Sequence, residues 1–201
     1  MIRILIADDE RLIRDAISGL LELEDDFEVV ARAASGEEAI REALRHRPDI
    51  ALLDLQMPEP DGIEVSRQLS TALPACRCII VTSHGRPGYL KSALAVGVMG
   101  FLPKTVSAQT LAQVVRSVMD GGRHIDTDLA TEAVGAGDSP LTPREADVLG
   151  LAREGAPVGE IAQRISLSPG TVRNYLASAI AKLGATNRHE AVHLASRQGW
   201  I

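Results

Sequence analysis

Aromatic side chains are nearly missing from this chain, which has two Phe, two Tyr and one Trp in 201 residues. Its core must therefore be built from Leu, Ile, Val and Ala. Cysteine is as scarce, with only Cys76 and Cys78, spaced C-R-C. The pair is expected on opposite faces of a strand, where it suits neither a disulfide nor a shared metal. The expectation is Cys78 in the core and Cys76 at a strand edge. The five His form no ligand cluster. His189 and His193 stand four residues apart, but no acid or Cys completes a metal set, so a surface helix is expected there. No apolar run approaches the ~18 residues of a membrane span. The first apolar run is too short for a signal peptide and ends in acid. A uniform positive charge is lacking too: the net charge is −6, which argues against a uniformly basic nucleic-acid binder. These absences together describe a soluble protein of a reducing compartment, the cytoplasm.

What is present is unevenly spread. Residues 1–120 carry 18 acids and 13 bases, net −5; residues 121–140 carry 4 acids and 1 base, net −3; residues 141–201 carry 5 acids and 7 bases, net +2. Such asymmetry points to two domains with different partners. The first 120 residues alternate short apolar runs (2–7, 27–33, 49–54, 78–83, 98–103) with amphipathic stretches (11–23, 36–46, 62–72, 88–96, 107–119). Continuous apolar strands separated by helices predict a five-stranded parallel, doubly wound α/β sheet covered on both faces. Ser35-Gly-Glu-Glu38 reads as a capping box, and Asp61-Gly62 as a turn before the third helix. Residues 121–140, rich in Gly and acid, read as a linker with one short helix at 127–134.

From Leu141 the pattern is helical only. Thr142, Pro143 and Glu145 make a capping box with proline at the first helical position, and Gly155 ends that helix. "VGEIAQRIS" is a short second helix. Ser168 to Gly184 repeats the cap, proline and glycine-stop logic, and "NRHEAVHLASRQG" is a fourth helix. A short helix, a tight turn and a longer helix in about 60 residues make a helix-turn-helix bundle.

In an open parallel sheet, ligands bind beyond the carboxyl ends of the strands. There the first strand ends in Asp8-Asp9, the third in Asp54, the fourth in Thr82-Ser83 and the fifth in "FLPK" with Lys104. Each has a plainer role available alone: Asp9 as a helix cap, Asp54 capping a loop, Lys104 as a structural ion pair. All of them on one rim suit phosphoryl chemistry better. Clustered carboxylates are costly unless a hard cation such as Mg²⁺ neutralises them. Asp54 can then be the nucleophile that forms an acyl phosphate. Mg²⁺ and Lys104 would stabilise the phosphoryl oxygens, and Thr82 would hydrogen-bond one.

This set, with "DLQMPEPDG" and "GFLPK", closely resembles bacterial response-regulator receiver domains over residues 1–120. The resemblance implies a flavodoxin-like fold. It also implies that Asp54 accepts a phosphoryl group from the phosphohistidine of a sensor histidine kinase. Asp9, Asp54 and the Gln56 carbonyl would hold Mg²⁺, with Asp8 acting mainly through water. It makes Phe101 a switch residue, working by packing since it lacks a tyrosine's hydroxyl. An aspartyl-phosphate phosphatase is the rival from the enzyme class. Such enzymes commonly need a second acid two residues after the nucleophile, where this chain has Gln56. The chain is thus expected to catalyse only its own phosphoryl transfer. A second rival, a regulator controlled by ligand or partner without phosphorylation, is opposed by the intact acid set.

In 168–184, Val172, Leu176, Ile180 and Leu183 define one buried face. The opposite face carries Gly170, Arg173, Asn174, Ala177, Ser178 and Ala181. Arg and Asn are the side chains that read guanine and adenine edges. Ser168, Thr171, Tyr175 and Lys182 are candidate phosphate contacts, aided by the helix N-terminus. Charge alone equally fits an ordinary solvated face. The pattern from "LTPRE" through "TVRNYL" and "KLGA" to "EAV", over 141–198, strongly resembles the LuxR/NarL-type DNA-binding module. That resemblance makes 168–184 the recognition helix and implies a homodimer on double-stranded DNA with two half-sites. Ala177 departs from the pattern, since a longer polar or basic residue is common there, and this narrows the expected footprint. "SHGRPGYL", "GTVRNY" and the terminal "GW" resemble the DesR-like subgroup. The whole chain thus looks like a phosphorylation-activated transcription regulator, with domains at 1–120 and 141–201 joined by a linker at 121–140.

Overall fold

A computed structural model describes the chain from Met1 to Ile201 except residues 59, 84–86, 136–138, 154 and 199, with backbone only for 87 and 132–135. Parts of the "SHGRPGYL" and "GW" signatures and of the expected linker therefore fall outside the described residues. By compactness the chain divides into two units, Met1–Gly85 with Leu90–Ala130, and Arg86–Tyr89 with Thr131–Ile201.

Among the described residues six parallel strands form one sheet. They are β1 Ile2–Ala7, β2 Phe27–Ala33, β3 Ile50–Asp54, β4 Arg77–Thr82, β5 Gly100–Pro103 and β6 His124–Ile125, in the order β2-β1-β3-β4-β5-β6. The connecting helices are α1 Arg11–Leu21, α2 Gly36–His46, α3 Gly62–Ala72, α4 Pro87–Ala95 and α5 Ala108–Met119, followed by α6 Thr127–Gly135. The sequence reading of five strands is short by one. β6 lies in the stretch expected to be linker and is held on β5 by His124 N–H to Met99 C=O at 2.9 Å and Asp126 N–H to Phe101 C=O at 3.0 Å. A two-residue strand fixed by backbone bonds has no side-chain period to betray it.

The inner strands β1, β3, β4 and β5 are buried on both faces, as a parallel sheet covered by helices requires. Ile4, Ile6, Ile50, Leu52, Ile79, Val81 and Leu102 share one cluster with Leu21 of α1 and Leu111, Val114, Val115 and Val118 of α5. The intervening residues Leu5, Ala51, Leu53, Ile80 and Phe101 are also fully buried, and strand alternation places them on the other face. Capping sets the helix starts. Ser35 Oγ accepts from Glu38 N–H at 3.2 Å, and Asp61 Oδ1 accepts from Glu64 N–H at 2.9 Å.

The two cysteines correct the expectation of opposite faces: residues two apart in extended chain share a face. Cys76, in the bend just before β4, lies beside Cys78, and both are buried and outside any disulfide. They are hydrogen-bonded to each other, and this bond together with burial pushes the Cys76 thiol up from its ordinary value.

The helical unit contains α7 Pro143–Arg153, α8 Val158–Arg164, α9 Pro169–Lys182 and α10 Arg188–Arg197. Its own core includes Leu141, Val148, Leu149, Ile161, Val172, Leu176, Ala179, Ala191 and Ala195. The Thr142 capping box forms in both directions: Glu145 N–H donates to Thr142 Oγ1 at 3.3 Å, and Thr142 N–H to Glu145 Oε2 at 2.6 Å. Gly155 and Gly184 adopt φ of +80° and +62°, the left-handed turns that end α7 and α9. His189 and His193 are exposed on α10.

Candidate functional site

Strand order reverses between β1 and β3, and a doubly wound sheet opens its crevice at such a reversal. β1 runs into Asp8-Asp9 and β3 ends in Asp54, so the two inner strands deliver three carboxylates to one place. One carboxylate oxygen from each of Asp8, Asp9 and Asp54 lies within 4.8 Å of the others. Asp8 and Asp54 are buried, at 2 % and 5 % exposure. Lys104, just past β5, bridges them. Its Nζ is 2.8 Å from Asp8 Oδ2 and 3.2 Å from Asp54 Oδ1, and it also meets Glu10 Oε1 at 3.2 Å.

The backbone fixes these side chains. Lys104 N–H donates to Thr82 C=O at 2.8 Å, which ties the end of β5 to buried Thr82 at the end of β4. Asp54 Oδ2 accepts from Gln56 N–H at 3.1 Å, and Asp8 Oδ1 from Glu10 N–H at 2.9 Å. Arg14 donates to the Asp8 carbonyl at 2.5 Å. Glu10, not Asp9, is the N-cap residue of α1, and its side chain makes no cap bond, so Asp9 is not committed to a helix start. Phe101 is fully buried within β5, between Ile80 of β4 and Ile125 of β6.

The electrostatics follow from crowding. Burial pushes the Asp54 carboxyl up to about 6; Lys104 opposes this, and Asp8 and Asp9 add to it. Burial and the neighbouring Asp8 raise Asp9 above its ordinary value. Burial works against the Lys104 ammonium, but hydrogen bonding to Asp8 and the charges of Asp54 and Asp8 hold it well above an ordinary lysine. Three carboxylates against one ammonium leave the rim with an excess of negative charge, and its donors are all oxygen. That set fits a hard divalent cation such as Mg²⁺.

In the helical unit, Ser168 caps α9 by accepting from Thr171 N–H at 3.1 Å. Arg173, Asn174 and Ala177 are exposed, while Val172 and Leu176 are buried. Ile180, Leu183 and Tyr175 are partly buried against the helical core. Lys182 and Ser178 meet buried Glu145 of α7: Lys182 Nζ is 2.7 Å from Oε2, and Ser178 Oγ donates to Oε1 at 2.5 Å. Sequence reasoning recognised Glu145 as a cap but missed this second role, as it missed Glu10 and Arg14. The acidic run Asp8-Asp9-Glu10 was the available signal for Glu10; Arg14 had none.

Fold and rim define a class: a doubly wound α/β domain with an acidic switch-point rim, and a helix-turn-helix unit on the same chain. Comparison with known proteins is decisive on the family. Residues 4–116 match the response regulator receiver domain, and residues 139–195 match the bacterial regulatory proteins of the luxR family. The chain belongs to the response regulators with a LuxR-type domain. It is 39% identical over 205 residues to the transcriptional regulatory protein DesR of Bacillus subtilis, covering all of both chains. It is 37% identical to the response regulator RamR of Streptomyces coelicolor, covering 100% of this chain and 98% of that one. Among solved structures, it resembles the response regulator ChrA of a haem-sensing two-component system, with a TM-score of 0.58, 28% identity, and coverage of 100% of this chain and 98% of that one. It also resembles RcsB in an RcsB–DNA complex, with a TM-score of 0.63, 25% identity, and coverage of 97% and 98%.

Proposed function

We propose that this chain is a transcription regulator switched by phosphorylation of Asp54, with a receiver over 1–120, a linker over 121–140 and a DNA-binding domain over 141–201. The observation that carries this reading is the convergence of Asp8, Asp9 and Asp54 with Lys104 at the sheet's switch point. A histidine kinase supplies the phosphoryl group in the cytoplasm. An Asp54 carboxylate oxygen attacks phosphorus, the P–N bond to the kinase imidazole breaks, and the imidazole takes up a proton as it leaves. Asp9, Asp54 and the Gln56 carbonyl would hold Mg²⁺, with Asp8 supporting it through water. When bound, the cation supplies positive charge against the phosphoryl oxygens. Lys104 exchanges part of its pairing with Asp54 for the phosphoryl group, and Thr82 donates its hydroxyl to it. Phe101 repacks in response. No separate substrate is turned over.

A receiver so altered shifts its population toward a state that dimerises. Two α9 helices then address two half-sites of one duplex. Arg173 and Asn174 face base edges, and Ser168, Thr171 and Tyr175 face phosphates. Pairing raises affinity through effective concentration. The test is sedimentation and duplex binding with and without a small acyl-phosphate donor and Mg²⁺. The donor is expected to raise dimer fraction and DNA affinity, and Asp54→Ala to abolish both responses. An Asp54→Ala chain that still responds to donor, or a wild type that does not, overturns the switch.

A further inference from the structure

Glu145 is a buried carboxylate, 3 % exposed, in a surface bundle of helices. Its capping duty toward α7 engages Thr142, whose N–H donates to it at 2.6 Å and whose side chain also bonds it. The same carboxylate reaches α9. Ser178 Oγ donates to Oε1 at 2.5 Å, and Lys182 Nζ pairs with Oε2 at 2.7 Å. These partners stand one helical turn apart, so one side chain grips the last two turns of α9 at two points. Burial pushes the Glu145 carboxyl up, but the hydrogen bonds from Lys182, Ser178 and Thr142 outweigh it and hold the group below the ordinary glutamate range. A buried charge needs its counter-charge, and Lys182 is the cation that meets it. Farther along the outward face, Ala177 and Ala181 offer no polar reach.

We propose that Glu145 is a positioning residue for DNA recognition. It anchors the C-terminal half of α9 through Ser178 and Lys182, so that DNA meets only the segment Ser168–Tyr175 and Lys182 makes no phosphate contact. This rests on the reading of α9 as the DNA-binding helix.

The chain has three lysines, Lys91, Lys104 and Lys182, so amine labelling with peptide mass spectrometry reports Lys182 alone. The probe is a 30-base-pair duplex that the full wild-type chain selects from a random pool, the length being roughly three turns for two half-sites. The Lys182 labelling rate is expected to stay within about twofold when the duplex is saturating, because its partner is internal. Strong protection by the duplex overturns the proposal, and this readout needs no variant to fold. Lys182→Met is expected to leave the slope of log affinity against log salt unchanged, whereas each lost phosphate contact would lower its magnitude by ~0.9. Glu145→Gln keeps the cap acceptor but loses the charge. It is expected to reduce discrimination between the selected duplex and a scrambled one. The double variant E145Q/K182M is expected to bind no worse than E145Q. A reduced salt slope, or additive losses, overturns the proposal while leaving the DNA reading intact. A wild-type chain that enriches no duplex removes that reading and this proposal with it.

Discussion

Asp54 is the residue at which folding and chemistry conflict. Its carboxyl is lifted from an ordinary 3.8 to about 6 by burial, with Asp8 and Asp9 adding to the rise and Lys104 opposing it. A carboxyl raised in this way lets the folded chain hold a proton that the unfolded chain has already lost. Stability therefore falls as pH rises from about 4 to about 6, and the whole penalty stands above that window. Converted at ~1.4 kcal/mol per unit, the shift corresponds to at most about 3 kcal/mol. Asp54→Asn removes the titration. In chelator-containing buffer the variant is expected to melt several degrees above wild type at pH 7.5 and to match it near pH 4. Equal melting curves at both pH values would mean that the site carries no such strain. The same crowding gives the rim its chemistry, since a site that disfavours three negative charges favours whatever cation or ammonium offsets them.

Elements hold the rim in place by close approach as much as by side chains. A Cβ on Gly62, at the start of α3, would lie 2.2 Å from the Asp54 carbonyl oxygen, which is backbone and cannot swing aside. Gly62→Ala must push α3 away from the end of β3. The expected cost is about 2 kcal/mol or more, and under the proposed phosphorylation of Asp54 the expected consequence is slower phosphoryl acceptance, because Asp54 moves with its strand. Gly159→Ala in α8 is the control, since nothing lies within 4 Å of its Cβ position and an alanine there is expected to be neutral or mildly stabilising. Chemical denaturation of the two variants decides; equal midpoints would refute the close approach. The elements themselves were largely legible, because apolar runs end abruptly and Ser35, Asp61, Thr142 and Ser168 announce the helices. β6 was not, because two residues paired only through the backbone leave no pattern. The Asp8, Asp9, Asp54 and Lys104 grouping was legible because each residue closes or follows an apolar strand. The Lys104–Glu10 and Lys182–Glu145 pairs were invisible, because their partners are 94 and 37 residues apart and no local spacing records them. Cys76 was misread because residues two apart in extended chain share a face, so the C-R-C spacing brings the two thiols together.

At the scale of the whole molecule, the two ends of the chain answer DNA with opposite signs. Residues 1–140 carry 22 acids and 14 bases, net −8, whereas residues 141–201 are net +2. A duplex that attracts the C-terminal helices is repelled by the rest of the chain, and the balance depends on screening. Among the described residues the helical core draws its buried members from Leu141 onward, so a fragment covering 139–201 is expected to fold alone. In low salt, where the Debye length reaches about 30 Å near 0.01 M, that fragment should bind random-sequence duplex roughly three- to tenfold more tightly than the unphosphorylated full chain. Near 0.3 M salt the repulsion is screened within a few ångströms, and the two should agree within about twofold. Titrating both proteins against one labelled duplex at a series of salt concentrations measures the gap. A gap that closes with salt assigns the restraint to charge. A gap that persists at high salt assigns it to exclusion of the helices from DNA, which salt does not relieve, and refutes the electrostatic account.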